Sequence, residues 1–197
     1  MMTLIRITSA DDSRLNRLIP LYEESFPESE RRKIGQLKRM IENHAPMYFN
    51  AIECDGELSG MFVYWDMGDF YYLEHLAVFP EMRNKKIGQQ VLDYVAEHLK
   101  GVRLLEVEPT EDEMTTRRVN YYRRNGYEVL DKTYVQPSYH ALEDACPLWI
   151  MGSEDSPRLA EQVERIKEEV YRQQVGCPLY KPCIFVDILL IPQISRD

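Results

Sequence analysis

The sequence predicts an α/β (α+β) fold, and three observations carry that prediction. Two turn signals, Asp55-Gly56 and Asp66-Met67-Gly68-Asp69, join successive apolar strands as hairpins. An aromatic and apolar strand at residues 70–79 runs through a basic loop into a helix. A second strand–helix–glycine–strand run occupies residues 102–135.

In chain order, residues 3–8 alternate as a first strand. A helix begins near residues 11–13, with Leu15, Leu18, Ile19 and Tyr22 on its buried face, and ends near Ser25 ahead of Phe26-Pro27. A second helix begins near Ser29 and turns Ile34, Leu37, Met40 and Ile41 inward. Strands follow at residues 47–54 and 58–65, then at 70–79. The helix after the basic loop places Val91, Leu92, Val95, Ala96 and Leu99 on one face. Residues 102–108 read as a strand and 115–125 as a helix, with Thr115 or Thr116 as N-cap and Gly126 ending it in a left-handed conformation. Strands at 127–135 and 148–151 close the sheet, and residues 152–157 break the chain. An amphipathic helix at 158–174 puts Leu159, Val163, Ile166 and Val170 on one stripe, a pattern that more often packs back on a domain than forms a dimer seam. The division is a domain at 1–152 and a C-terminal extension at 153–197. The extension's apolar tail past Gly176 is a candidate edge strand through which two copies could pair as a homodimer.

The segment Arg83-Asn84-Lys85-Lys86-Ile87-Gly88 joins a strand to a helix N-terminus. Unpaired N–H groups of a first helical turn, the helix dipole and three cationic side chains make an anion site suited to a phosphate or pyrophosphate. The competing reading is a solvated basic loop. G-x-x-x-x-G-K-[ST] and G-x-G-x-x-G are both absent, which disfavours nucleotide hydrolysis and nicotinamide chemistry.

This segment resembles the acyl-CoA-binding motif of the GNAT superfamily of N-acetyltransferases, [Q/R]-x-x-G-x-[G/A] directly after a long strand. Lys86 stands where the family usually has its first glycine. A second block, Tyr122 followed by Gly126-Tyr127, matches the family's Y-x-x-x-G-[F/Y]. The resemblance spans roughly residues 3–151. It implies a mixed, mostly antiparallel twisted sheet flanked by helices. The implied activity is an N-acetyltransferase that moves an acetyl group from acetyl-CoA, as co-substrate, to a primary amine of a small molecule or an exposed amino group. The alternative is a non-catalytic acyl-CoA-binding or regulatory module on the same fold.

For the cofactor, the resemblance implies Leu76, Ala77 and Val78 along the strand end, and Arg83, Asn84, Lys85, Lys86, Ile87, Gly88 and Gln89 at the loop and helix start; Asn120 or Arg118, on the later helix, is a candidate to touch the CoA arm. Only a neutral amine attacks a thioester, so a base is needed. Glu74, mid-strand in an apolar run, is the first candidate, with a raised pKa expected; its competing reading is a salt-bridged strand residue with Arg118 as partner. Glu106 and Glu108 are alternatives that share a face. Strand alternation puts His75 opposite Glu74, as a structural residue. Tyr122 matches the family's tyrosine and is the candidate acid for the leaving thiolate. On the acceptor side, Phe26, Glu30, Arg31 and Trp65, with Glu108, could frame an aromatic, acidic-edged pocket for a small amine, although Arg31-Arg32 also reads as a solvated charge run.

A formal net charge of −9 argues against a general nucleic-acid binder and mildly favours a cationic acceptor. Cys54, Cys146, Cys177 and Cys183 form no CxxC pair, and the four histidines are scattered, so no metal site is expected. No apolar run has transmembrane length and the N-terminus lacks a secretory pattern, which together predict a cytoplasmic protein with no membrane partner.

Overall fold

Turn chemistry sets the first half of the sheet. In the computed structural model, which describes residues 1–139 and 146–171, Asp55 and Gly56 both take positive φ, 52° and 81°. A two-residue hairpin loop needs this pair of left-handed residues. It joins β2 (Met47–Cys54) to β3 (Glu57–Asp66). At the next turn the Asp66 carboxylate accepts from the Gly68 N–H at 2.9 Å, and Gly68 sits at φ 85° before β4 (Phe70–Val78). With β1 (Met2–Arg6) on the outer edge of β2, these strands form an antiparallel meander.

The second half is added by helical crossovers. α3 (Ile87–His98) returns the chain to β5 (Val102–Val107), which pairs with β4 in parallel. α4 (Glu113–Arg124) leads to β6 (Glu128–Asp131). The short β7 (Val135–Gln136) and β8 (Cys146–Pro147) pair with each other, and β9 (Trp149–Gly152) inserts between β5 and β6. Among the described residues the main sheet runs β1-β2-β3-β4-β5-β9-β6, antiparallel except at β4–β5. The expectation of a mixed, mostly antiparallel sheet flanked by helices holds.

Two helix starts differ from the sequence reading. α1 is Leu15–Ser25, and residues Glu28–Glu30 form a 3-10 turn, so α2 starts later than expected, at Ile34, and ends at Asn43. The cap of α4 is Asp112 rather than Thr115 or Thr116. Asp112 accepts from the Thr115 N–H at 2.7 Å while the Thr115 hydroxyl accepts from the Asp112 N–H at 3.1 Å, a reciprocal capping box.

α1 and α2 pack on β2–β4, α3 on β1 and β4, and α4 on β5. α5 (Leu159–Ile166) continues into a π-helical turn at Lys167–Tyr171. Val163, Ile166, Val170 and Tyr171 join the same core as the sheet, so this stripe packs back on the domain. Residues 172–174 of the expected helix, and the apolar tail with its dimer reading, lie outside the described residues.

Candidate active site

Two irregularities in β4 open the sheet. The first is a bulge: β3–β4 register runs Val63↔His75 and then Tyr64↔Leu73, which leaves Glu74 as the extra residue. The second is a divergence. β4 and β5 pair from Phe70↔Val102 to Leu73↔Leu105 and no further. Beyond that point residues 75–78 of β4 pair, among the described residues, only with β3. A cleft of about 560 Å³ opens between the two strands, with Glu74 and Glu106 at its apex. Gly60 keeps the β4 edge where it is. A Cβ there would stand 2.2 Å from the Ala77 carbonyl oxygen.

The bulge overturns the alternation argument for His75. Its ring lies beside the Glu74 carboxylate, Nδ1 to Oε1 4.0 Å, and lines the cleft. Nε2–H donates to the Glu30 carbonyl at 3.1 Å, and burial holds the imidazole below its ordinary pKa, so it is neutral with Nδ1 unprotonated. The ring packs against Phe26, the two planes tilted by 45° with centroids 4.2 Å apart.

Glu74 is salt-bridged, but Arg32 is its partner, not Arg118. The Arg32 guanidinium is fully buried; it bonds Glu74 Oε1 and donates to the Val170 carbonyl at 2.9 Å. Trp65 Nε1 donates to Glu74 Oε2 at 2.8 Å and Tyr139 Oη to Oε1 at 2.6 Å. Burial alone would push the carboxyl pKa up; the charge of Arg32 and these donors outweigh it, and the pKa lies below its ordinary value. This corrects the expected upward shift. A carboxylate so fully engaged is a poor proton acceptor.

Glu106 has the opposite environment. Tyr134 Oη donates to Oε1 at 2.5 Å, and Gln136 Nε2 and Tyr171 Oη donate to Oε2 at 2.6 and 2.8 Å. Desolvation pushes its pKa up and the hydrogen bonds offset only part of that rise. No cation pairs with it among the described residues, and it lines the cleft. Glu108, the other alternative base, pairs with Arg118 at the cleft mouth, with both side chains close to half exposed.

Tyr122 lines the cleft from α4, and burial pushes its hydroxyl to about 12. Leu76, Ala77, Val78 and Arg83 line the cleft wall, as do Phe26 and Glu30. Asn84, Lys85 and Lys86 are exposed on the adjoining loop. Lys86 stands at φ 58°, ψ 24°, left-handed, as the N-cap of α3, and its side chain makes no capping bond. The lysine therefore adopts the conformation for which glycine is usually needed. The Ile87 side chain is buried in the core, which leaves only its main chain for a ligand. Gly88 faces the wall at ordinary contact distance, a Cβ there falling 3.4 Å from Tyr121 Oη and 4.0 Å from Leu76 Cδ2. Gln89 Nε2 donates to Asn125 and Asp93.

Of the expected loop residues only Arg83 lines the cleft itself, residues 84–89 lying beside it, and three further expected site residues stand away from it. Asn120 is exposed on α4 outside it. Arg31 pairs with Glu23 at 3.4 Å. Trp65 is wholly buried beneath Glu74, because its indole N–H serves that carboxylate. The sequence reading missed Arg32, Tyr72, Tyr134, Gln136, Tyr139 and Tyr171. The abundance of tyrosine, 13 in the chain, was the available signal, since buried phenols need polar partners.

The model of the Acetyltransferase (GNAT) family matches residues 15–127. A GNAT-family structure from Bacteroides thetaiotaomicron is 31% identical, with TM-score 0.81, over 86% of this chain and 98% of that one. The PaiA N-acetyltransferase of Thermoplasma acidophilum in complex with coenzyme A is 19% identical with TM-score 0.55, over 79% of this chain and 99% of that one. An aminoglycoside 6'-N-acetyltransferase complexed with coenzyme A is 17% identical with TM-score 0.53, over the same 79% and 99%. These last two share the fold alone. No curated protein matches significantly.

Proposed function

The chain belongs to the GNAT acetyltransferase family, and from that premise we propose that it transfers the acetyl group of acetyl-CoA to the primary amine of a small cationic molecule at the cleft between β4 and β5. The observation that carries this reading is the divergence of the two strands after Leu73 and Leu105. It leaves a free strand edge at residues 76–78, an uncapped helix N-terminus beside it, and a carboxylate at the apex.

The residues present fit acetyl-CoA. The N–H groups that open α3, with Arg83, Lys85 and Lys86, suit the pyrophosphate. Gly88, in the first turn of α3, adds no side chain beside those N–H groups. The unpaired edge of β4 can hydrogen-bond an extended amide chain as a further strand would. Bound there, acetyl-CoA supplies an activated acetyl group and a thiolate leaving group.

Glu106 is the base of this proposal, in place of Glu74. Its raised pKa and cleft position suit it to take a proton from the acceptor ammonium, directly or through a water. Tyr122 stays protonated throughout the working pH range and donates its hydroxyl hydrogen toward the departing sulfur. Glu74, tied to Arg32, fixes the bulge rather than moving a proton. Glu24 and Glu30 lie around the cleft with Phe26 and Tyr139, while Glu108 is paired with Arg118, a setting that favours an acceptor with a second positive charge. Lys86 adopts the left-handed angles open to glycine, so its presence lends no weight to a non-catalytic module.

The test is thiol release from acetyl-CoA with a panel of amines. Turnover with small diamines, exceeding that with neutral or acidic amines of similar size, is the expected result. Turnover confined to acidic or uncharged acceptors would refute the cationic-acceptor assignment.

A further inference from the structure

The segment after β9 reaches the floor of the cleft. α5 and the π-turn bring Val170 and Tyr171 into the core, and both touch a carboxylate centre. The Val170 carbonyl accepts from the Arg32 guanidinium that holds Glu74. Tyr171 Oη lies 2.8 Å from Glu106 Oε2, 3.0 Å from Tyr72 Oη and 2.9 Å from Gln136 Nε2. A hydroxyl has one proton to donate. The ionised Glu106 accepts only, so the Tyr171 proton goes to it. Tyr72 and Gln136 therefore donate to Tyr171. With Glu106 ionised, as a base must be, the donors run Tyr72 to Tyr171 to Glu106, and each bond polarises the next.

We infer that Tyr171 is a positioning residue for Glu106, and that the segment following the last strand of the sheet is thereby part of the catalytic apparatus. This rests on Glu106 being the base. The groups facing Glu106 are Tyr72 from β4, Tyr134 and Gln136 from the β6–β7 region, Tyr171 from the π-turn, and the nearby Cys146 thiol from β8. None of these is a cation. The orientation of the carboxylate therefore depends on neutral donors, and Tyr171 is the one that the C-terminal segment supplies. The π-turn fits this role: π-helical turns are rare and frequently found at functional sites. This one ends the described part of the segment with the phenol against Oε2.

The experiment is the pH dependence of kcat/KM for acetyl transfer in the full chain, its Tyr171→Phe and Tyr72→Phe variants, and Glu106→Gln as reference. Phe keeps the ring packing, and melting temperature reports whether each variant is folded. Tyr171→Phe is expected to lower kcat about tenfold and to move the acidic limb up by about one pH unit, since a lost hydrogen bond to the ionised form raises a pKa. KM for acetyl-CoA should be unchanged. Tyr72→Phe should move the limb in the same direction, because its hydroxyl donates to Tyr171 and also faces Glu106. If Glu106→Gln abolishes the limb while Tyr171→Phe and Tyr72→Phe keep the parent profile, Tyr171 only packs and the inference fails. If Glu106→Gln itself keeps the parent profile, the base assignment fails and takes the inference with it.

Discussion

Lys86 shows how far a single backbone position departs from its ordinary preference. A non-glycine residue at φ 58° carries strain of roughly 1–2 kcal/mol. Lys86→Gly is therefore expected to raise stability by about 1 kcal/mol, read as a higher denaturant midpoint at unchanged m-value, while CoA binds somewhat more weakly for want of one cation. An unchanged or lower midpoint would mean that the lysine side chain recovers that strain elsewhere. Tyr122→Phe keeps the ring and removes the hydroxyl; kcat is expected to fall by about 10²–10⁴-fold with CoA affinity retained. Wild-type kcat, where chemistry limits the rate, would reduce Tyr122 to a packing residue. The lysine and the tyrosine were both legible from motif spacing. Arg32 was not, because its burial depends on a carboxylate 42 residues away and no local pattern announces it.

The bulge in β4 does most to shape the cleft. It turns Glu74 and His75 toward each other, and alternation of side chains cannot predict it, because an extra residue breaks the very period on which the prediction rests. The strands, hairpin turns and helix faces were legible because their signals are local. The β4–β5 divergence was not, since it depends on where a parallel pairing stops. Arg32 and Glu74 hold the bulge, and removing one partner of a buried pair strands the other charge. Glu74→Gln is expected to cost about 3–5 kcal/mol in stability and to impair acetyl transfer through lost geometry. If stability proves unaffected, the pair does not anchor the strand. At the α4 terminus, Asp112→Ala removes the capping acceptor and should cost about 1 kcal/mol, visible in thermal unfolding.

At the scale of the whole molecule, Glu74 and Glu106 oppose each other in the pH dependence of stability. The folded-state pKa of Glu74 is lowered, so its contribution is present above the unfolded carboxylate value and is lost as pH falls through the folded value. The folded-state pKa of Glu106 is raised, so ionising it costs stability above that value, and the cost vanishes below the unfolded one. Glu106→Gln should therefore unfold at higher temperature than the parent near neutral pH, with the difference closing in acid. A parent that is the more stable at neutral pH would contradict the desolvation argument. Such a gain, coupled to lost activity, is the trade expected where a site holds a poorly solvated charge.

No helix of the described residues is long and apolar enough to cross a membrane. Among the described residues the core is shared by the sheet, its helices and the C-terminal turn.

The central claim is that the opening between β4 and β5, with the basic loop at its rim, holds CoA. Calorimetric titration of the full chain with CoA tests it most directly. Saturable binding at one site is the expected result, weakened at least about tenfold by Arg83→Ala through a lost charge-assisted contact, and unchanged by Arg31→Ala, whose side chain pairs with Glu23 outside the cleft. No heat of binding at millimolar CoA, or equal losses from the two arginine substitutions, would contradict the account.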